Sequence, residues 1–220
     1  MKSSKVKIVQ NILTANDHIA NDISAILKKH NIFSMNIMAS PGAGKTSVIM
    51  QTIHHLSKDL RLGIIEGDTA PVTIDADKVS AVGIPVVQIN TGGQCHLDAP
   101  MIKGALTQFS LDELDIIIIE NVGNLICPAA FKLGTDLNVV IASIPEGDDK
   151  PYKYPGIYHG IDALILNKID LKPYVDFNLE YFKKGIEALN PGIEFFELSC
   201  KTGDGLDKWI FWLRGMTLSN

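Results

Sequence analysis

Hydrophobic and polar positions follow a helical period at the start of the chain and a strand-like pattern after it. In residues 6–29 the apolar side chains recur at helical spacing, which predicts an amphipathic first helix. Short β-prone runs then alternate with longer helical stretches, and this alternation predicts seven strands. The predicted strands are residues 33–38, 62–65, 86–89, 115–120, 139–143, 163–167 and 194–198.

Strands that alternate with helices predict an α/β fold whose mostly parallel central sheet is covered by helices on both faces. The predicted strand at 115–120 contains four successive isoleucines, so it is apolar on both of its alternating faces. Such a strand belongs in the interior of a parallel sheet. No repeat or flexible linker divides the chain, and residues 1–220 are predicted to form a single domain.

Composition and charge narrow the function classes. The chain has 220 residues, 46% of them hydrophobic, and a formal net charge of −5. The lysines are scattered along the chain, and this acidic balance argues against nucleic-acid binding. No apolar run approaches the roughly 20 residues that a membrane helix needs, and the first residues lack the pattern of a signal peptide. A cytoplasmic protein that does not bind membranes is expected.

The segment ASPGAGKT at residues 39–46 follows a predicted strand and opens a predicted helix, which is the context of a P-loop. Its glycines let successive N–H groups turn toward phosphate oxygens, and the helix N-terminus adds a favourable dipole. The lysine supplies a cation, and the threonine hydroxyl is a ligand for Mg²⁺. Ala39 stands where the motif usually has its first glycine. These features predict the three-layer P-loop NTPase fold. The predicted phosphate contacts are Pro41, Gly42, Ala43, Gly44, Lys45, Thr46 and Ser47.

Two carboxylates end predicted strands, where ligands bind in open α/β sheets. Asp68 ends the IIEGD segment and is predicted to hold Mg²⁺ with Thr46, directly or through water. Glu120 ends the isoleucine strand, and together with Gly123 it is predicted to sense the γ-phosphate. Lys45, Asp68 and Glu120 form the predicted catalytic set. The alternative for either acid is a loop cap.

The NKID segment at residues 167–170 follows another predicted strand and matches an NKxD guanine selector. Asp170 is predicted to accept from the guanine N1–H and exocyclic amine, Asn167 to contact the N7 and O6 edge, and Lys168 to lie along the ring. Adenine offers no such donors, so the segment favours GTP and GDP over ATP. Three residues after the last predicted strand are expected to support the base: Ser199, Cys200 and Lys201.

Arginine is scarce, because Arg61 and Arg214 are the only arginines among 20 Lys and Arg residues. Many P-loop kinases use arginines from a lid, and fast GTPases use an arginine finger. Slow intrinsic turnover is therefore predicted, with Lys150 or Lys153 helping Mg²⁺ to balance charge. Faster hydrolysis is expected on dimerisation or partner binding.

The three cysteines include no CxxC pair, so each is judged singly. Cys95 and His96 are adjacent in a glycine-containing loop, and Cys127 lies four residues beyond Gly123. Thiolate and imidazole suit nickel or zinc, and too few ligands for a closed site come from one chain, so a second subunit would complete it. A γ-phosphate that moves Gly123 would also move Cys127 and change metal affinity. On the residues alone, a metal site and buried structural cysteines both stay open, and Cys200 is expected to be structural.

Six segments occur in an order that resembles the HypB family of GTPases, which serve nickel incorporation into hydrogenases. They are ASPGAGKT, IIEGD, INTGGQCHLDA, IIIIENVGNLICPA, IPEGDDKPYKYP and LNKIDL, and the resemblance covers residues 6–213. It implies a homodimer promoted by GTP that passes nickel to the [NiFe]-hydrogenase large-subunit precursor with a HypA-like chaperone. It also implies Cys95, His96 and Cys127 as ligands of nickel or zinc. The sequence starts without the metal-binding N-terminal extension of some members, so tight nickel storage there is not expected.

The sequence leaves three alternative functions open. A urease accessory GTPase has a similar fold and task, although the INTGGQCHLD and ENVGNLICP segments resemble the hydrogenase family instead. A metal storage or buffering protein would have a vestigial nucleotide site, against which Lys45, Thr46, Asp68 and Asp170 weigh. A P-loop kinase would release a phosphorylated product in place of free phosphate.

Overall fold

Seven strands and eight α-helices alternate along the computed structural model, which describes residues 12–69 and 73–218. The strands are β1 (Phe33–Ala39), β2 (Leu62–Asp68), β3 (Val86–Asn90), β4 (Ile116–Glu120), β5 (Leu137–Ser143), β6 (Ala163–Asn167) and β7 (Glu194–Glu197). The helices are α1 (Ile12–Lys29), α2 (Lys45–Leu56), α3 (Ile74–Ser80), α4 (Ala99–Leu106), α5 (Lys150–Lys153), α6 (Pro155–Tyr158), α7 (Leu179–Leu189) and α8 (Leu206–Leu218). Short 3₁₀ turns cover Leu111–Glu113, Cys127–Ala130, Ile144–Glu146 and Ile169–Tyr174.

All strands pair in parallel in one sheet with the order β3-β2-β4-β1-β5-β6-β7. The isoleucine strand, β4, lies between β2 and β1 and is fully buried, so its predicted interior position is confirmed. The predicted α/β fold with a parallel sheet of seven strands is confirmed as well.

Alternate residues of the strands supply two separate cores. Ile64 and Ile118 belong to a cluster with residues of α2 and α8, which cover one face along the sheet. Ile65 and Ile119 point the other way and pack with residues of α1 and α4. The half of that second face formed by β5 and β6 is covered by α6 and α7. The helical layers on both faces therefore follow from strands that are apolar on both sides.

The ends of several elements differ from the prediction. β2 continues to Asp68, because β3 pairs with it up to the Asp68–Asn90 register. β4 starts at Ile116, one residue later than predicted, and Asp115 just before it bonds to Arg61 through its backbone N–H and its carboxylate. The first helix is confirmed from Ile12 onward, and predicted positions 6–11 lie outside the described residues. No helix in the described part of the chain combines the length and apolarity needed to cross a membrane.

Parallel pairing brings the carboxyl ends of all strands to one edge of the sheet. The strand ends and the loops that follow them carry the glycine-rich segment, the strand-end carboxylates, the NKID segment and all three cysteines. Ligands of open α/β sheets bind at this edge.

Candidate functional site

The loop between β1 and α2 has the backbone of a phosphate-binding loop. Gly42 and Gly44 have positive φ angles of 79° and 102°. A Cβ atom on Gly44 would also lie 2.5 Å from Nδ2 of Asn167, so this position requires glycine. Ala39 is a buried β1 residue without a positive φ, which explains why the usual first glycine is dispensable. The loop can therefore turn its N–H groups toward an anion at the start of α2.

The end of β6 docks onto this loop. Nδ2 of Asn167 donates to the carbonyl oxygen of Ala43 at 3.0 Å, and Nζ of Lys168 donates to that of Gly42 at 2.6 Å. Oδ1 of Asn167 accepts from the N–H groups of Lys168 at 2.8 Å and Cys200 at 3.4 Å. The buried Asn167 side chain thus holds the phosphate loop, the NKID segment and the loop after β7 together.

A cavity of about 620 Å³ opens beside these loops, a size typical of small-ligand sites. Eight of the residues that line it were predicted to bind the nucleotide: Thr46, Ser47, Asn167, Lys168, Asp170, Ser199, Cys200 and Lys201. Four further lining residues were not predicted: Met50, Gln51, Lys78 and Leu171. The Ser199 hydroxyl donates to Oδ1 of Asp170 at 2.6 Å, which orients this carboxylate at the cavity. Burial and then the charge of Asp170 raise the pKa of Cys200 to about 11, so this cysteine stays a neutral thiol at pH 7.

Three strand-end carboxylates lie on one face of the sheet, below the start of α2. Glu66 of β2 and Glu120 of β4 are register partners, and Asp68 follows on the same face of β2. The Thr46 hydroxyl donates to Oε1 of Glu120 at 2.9 Å, while Asp68 ends the neighbouring strand. Burial raises the pKa of Glu120, and the positive charge of Lys45 opposes this rise. Thr46, a predicted cation ligand, is thus bonded to Glu120, the predicted γ-phosphate sensor.

Glu66 is a site residue that the sequence motifs did not indicate. Its side chain is 5% exposed, and Oε2 is buried without a hydrogen-bond partner. Burial, followed by the charges of Glu120, Asp68 and Asp75, raises the pKa of Glu66 to about 7, and only Lys45 lowers it. The available signal was a carboxylate inside the otherwise apolar run of residues 62–67, two positions before Asp68.

Two further segments touch the phosphate loop. A Cβ atom on Gly123 would lie 3.1 Å from Cγ and 3.2 Å from N of Pro41, so the segment after β4 packs directly on the loop. From the loop after β5, Glu146 accepts hydrogen bonds from the hydroxyls of Ser40 and Ser143, and burial raises its pKa. The sequence singled out Glu146 only as part of the IPEGDDKPYKYP segment. Movement of either segment would therefore be felt at the phosphate loop.

The three predicted metal ligands come together from two loops. Residues 91–98, the first ligand loop, carry Cys95 and His96, and residues 124–132, the second ligand loop, carry Cys127. Their ligand atoms lie within 4.8 Å of one another, and this is the one such cluster of three found in the described residues. The two Sγ atoms are 2.7 Å apart, and Sγ of Cys95 lies 4.0 Å from Nδ1 of His96. The arrangement can hold one soft metal ion.

The surroundings of the cluster fix the imidazole and favour metal over two free thiolates. The His96 ring stacks on Phe131 at 3.9 Å between centroids. The hydrogen bond with Cys95 and then burial raise the pKa of the Cys127 thiol. A cation would relieve the repulsion between two thiolates at this distance. All three ligand residues are half-buried, so solvent or a second molecule can reach them.

Both arginines lie away from the phosphate loop. Arg61 pairs with Asp115 at 2.7 Å before β2 and β4 begin, at the opposite edge of the sheet. Arg214 pairs with Asp59 at 2.6 Å, beyond the far end of α2. At 1.5 Å per residue, the length of α2 puts this pair roughly 18 Å from the loop. At these positions, neither arginine side chain reaches the phosphate loop of its own chain.

The two lysines that were predicted to balance charge lie in α5, and the positive charge of Lys150 opposes the raised pKa of Glu146. Lys153 pairs with Asp149, and Nζ of Lys150 lies 5.2 Å from the centroid of the Tyr154 ring. Neither lines the cavity, whereas Lys78 of α3 does.

Comparison with known proteins identifies the class to which this fold and site belong. The family described as CobW/HypB/UreG, nucleotide-binding domain, matches residues 33–197. With the geometry of the phosphate loop, this match defines a P-loop nucleotide-binding protein of that class.

Individual relatives narrow the assignment. The hydrogenase maturation factor HypB of Azotobacter vinelandii is 44% identical over 214 residues, which cover 96% of this chain and 70% of that protein. The structure of HypB from Helicobacter pylori in complex with nickel is 35% identical and superposes with a TM-score of 0.89 over 94% of this chain and 96% of that one. HypB from Archaeoglobus fulgidus is 37% identical, with a TM-score of 0.87 over 93% and 99% of the two chains. The chain belongs to the HypB family of hydrogenase maturation factors.

Proposed function

We propose that this chain is a single-domain, GTP-hydrolysing metallochaperone that binds nickel or zinc and assists nickel insertion into [NiFe]-hydrogenase. The observation that carries the proposal is the convergence of Cys95, His96 and Cys127 within 4.8 Å. Among its relatives, HypB from Helicobacter pylori has a structure in complex with nickel.

The choice of GTP rests on Asp170. Its carboxylate lines the cavity, where the Ser199 hydroxyl orients it toward a bound base. Guanine presents two N–H donors on one edge, whereas adenine presents an acceptor at N1. A base that leaves the carboxylate unpaired is bound more weakly by about 3 kcal/mol, which corresponds to roughly a hundredfold in affinity.

Hydrolysis uses groups at the start of α2 and the ends of β2 and β4. Lys45 lies at the N-terminus of α2, where it neutralises charge on the β- and γ-phosphates. The oxygen donors of Thr46, Asp68 and Glu120 fit Mg²⁺, and the unpartnered Oε2 of buried Glu66 adds to the negative field there. Bound Mg²⁺ would be held by Thr46 and Asp68 and would supply charge stabilisation to the phosphates. Glu120 and Gly123 respond to the γ-phosphate.

The cargo is a metal that accepts thiolate and imidazole donors. Two thiols and one imidazole leave at least one position of a tetrahedral ion open. That position is filled by solvent, by a second copy of the chain in a GTP-promoted homodimer, or by the next protein in the transfer. A HypA-like nickel chaperone and the hydrogenase large-subunit precursor, in the cytoplasm, are the proposed partners.

Nucleotide state controls the cargo because Gly123 packs on Pro41 and its segment continues into the second ligand loop with Cys127. A γ-phosphate that draws Gly123 inward changes the distance between the thiols. Couplings of this kind amount to about 5- to 150-fold in affinity.

Metal titrations test the proposal. Nickel and zinc affinities are measured by calorimetry with a non-hydrolysable GTP analogue and with GDP, while light scattering follows the mass in solution. Cys127→Ala is expected to weaken nickel binding at least about tenfold. The matched control, Cys200→Ala, removes the cysteine beside the base cavity and should leave nickel binding unchanged.

Two outcomes would overturn the proposal. One is nickel binding that ignores Cys127→Ala, and the other is a chain that binds neither GTP nor GDP at millimolar concentration with Mg²⁺. Free phosphate as the product, with no phosphorylated acceptor, separates a GTPase from a P-loop kinase.

A further inference from the structure

The Asn16 side chain connects the start of α4, directly after the first ligand loop, to the end of the second ligand loop. This residue of α1 is 3% exposed, and its Oδ1 accepts from the N–H of Ala99 at 2.8 Å. Its Nδ2 donates to the carbonyl oxygen of Lys132, also at 2.8 Å. Ala99 follows His96 closely, and Lys132 follows Cys127 closely. One buried amide therefore fixes the chain just beyond both halves of the thiol cluster.

Asn121 connects the first ligand loop to the sheet. It is 0% exposed, and its Oδ1 accepts from the N–H of Leu97 at 3.1 Å and of Val122 at 2.9 Å. Its Nδ2 donates to Oδ1 of Asn36 on β1 at 3.1 Å. Leu97 directly follows His96, so this hydrogen bond acts on the backbone beside a metal ligand.

The position of Asn121 in the chain makes it responsive to the nucleotide. Asn121 directly follows Glu120, which accepts a hydrogen bond from the Thr46 hydroxyl. Two residues after Asn121, Gly123 packs on Pro41. The backbone between these two contacts belongs to the segment expected to move with the γ-phosphate. Any rotation of that backbone moves the Asn121 side chain.

Leu97 is also held from the opposite side. A Cβ atom on Gly67 would lie 2.7 Å from Cδ1 of Leu97, so the leucine packs directly against β2, beside Asp68. Leu97, next to His96, is thus held between β2 and the side chain of Asn121. A shift of Asn121 relative to β2 must then move the first ligand loop.

We propose that Asn121 and Asn16 are positioning residues of the thiol cluster, with separate roles. Asn121 transmits the nucleotide state to Cys95 and His96, and Asn16 sets the spacing of the two ligand loops in every nucleotide state. The inference rests on the proposed function, since it assumes that the cluster binds metal. It adds a path through the first ligand loop to the path through Gly123 and Cys127.

The alternative is that both asparagines serve only as satisfied buried polar groups that stabilise the fold. Asn36 provides the matched control. It is 1% exposed and bonds to Asn121 and to Asn138 in the same network, but it touches neither ligand loop. Its loss should cost stability without changing the geometry of the thiols.

Nickel affinity is measured for four alanine variants with the GTP analogue and with GDP, and thiolate-to-nickel absorption reports on the ligands. Asn121→Ala should bring the ratio of the two affinities toward one. Asn16→Ala should lower both affinities by about 10- to 100-fold and keep their ratio. Asn36→Ala should change neither by more than about threefold. Cys127→Ala tests the proposed function itself.

The outcomes distinguish a failure of this inference from a failure of the proposed function. If Cys127→Ala lowers nickel binding but Asn121→Ala keeps the nucleotide-dependent ratio, the inference is wrong and the proposed function stands. A wild-type ratio of one, or nickel binding that ignores Cys127→Ala, overturns the inference in either case. One-to-one binding of the GTP analogue and cooperative unfolding confirm that each variant is folded.

Hydrogen exchange of the wild-type chain decides the question if Asn121→Ala does not fold. The Leu97 amide is the group that Asn121 accepts from, and its protection, read by NMR, should differ at least about fivefold between the GTP-analogue and GDP states. Equal protection of this amide in both states contradicts the role of Asn121.

Discussion

The carboxyl group of Glu66 lies beside Glu120 on the neighbouring strand, and one of its oxygens is buried without a partner. Asp68 and Asp75 add negative charge, and Lys45 is the cation that opposes them. Buried carboxyls in such surroundings hold their protons to higher pH. In the ligand-free chain these carboxylates repel one another, and a bound cation would reduce that repulsion.

Glu66→Gln should change stability in a pH-dependent way. The pKa of Glu66 rises from 4.5 to about 7 on folding, so between these values the folded chain binds more protons than the unfolded chain. The free energy of unfolding of the wild type therefore falls as pH rises through this window, by on the order of 2 kcal/mol. Glutamine does not titrate, so the variant lacks this loss of stability. Chemical denaturation in magnesium- and nucleotide-free buffer should show that the variant gains on the wild type from pH 4.5 to pH 8.

Glu194→Gln, at an exposed residue of β7, is the matched control and should show no such trend. A difference between Glu66→Gln and wild type that is the same at both pH values would contradict the prediction.

Individual site residues were predictable where a motif fixes both residue type and spacing. The P-loop and the NKID segment are of this kind, and Thr46, Asn167 and Asp170 line one cavity as expected. Glu66 and Asn121 belong to no such motif. Their roles depend on burial and on neighbours from other strands, which arise only when the sheet assembles.

At the scale of elements, α1 is anchored to the start of β5 through a close backbone approach. Gly134 has a φ of 83°, and a Cβ atom there would collide with the carbonyl oxygen of Ala20 in α1. The same helix carries Asn16, which holds both ligand loops. The first helix thus serves the site although it lies on the face away from α2.

Gly134→Ala should destabilise the chain, because it combines a strained φ with a clash against backbone. We expect a loss of about 2 kcal/mol or more in the free energy of unfolding, measured by urea denaturation. Gly104→Ala is the matched control within α4, where a Cβ atom meets nothing within 4 Å. It should stabilise by about 0.5–1 kcal/mol, since alanine is the better helix former. Equal effects of the two substitutions would refute this account of Gly134.

Elements themselves were predictable from periodicity, because apolar strands and an amphipathic helix leave strong patterns. Their ends were not predictable, since β2 continues to Asp68 only through its pairing with β3, a contact between residues distant in the sequence. The strand order was also beyond local pattern. It brings the loops after β3 and β4 together, although β2 separates the two strands in the sheet.

At the scale of the whole molecule, charge is distributed unevenly about the sheet. Both arginines are paired with aspartates away from the phosphate loop, and the cluster of carboxylates lies directly beside it. One chain therefore offers little positive charge to the transition state of phosphoryl transfer beyond Lys45 and a bound metal ion. In the proposed homodimer, further positive charge would come from the second copy of the chain.

Turnover should accordingly depend on association. At low protein concentration we expect single-turnover GTP hydrolysis at about 10⁻⁴–10⁻³ s⁻¹, as in GTPases that lack an arginine finger. The rate per site should rise with protein concentration in step with the mass in solution, because the proposed dimer would complete the charge balance. Arg61→Ala and Arg214→Ala should leave this rate unchanged within about twofold, since neither side chain reaches the loop. A monomer that hydrolyses GTP at about 1–100 s⁻¹, the range of kinases, would show instead that one chain contains all the charge that catalysis requires.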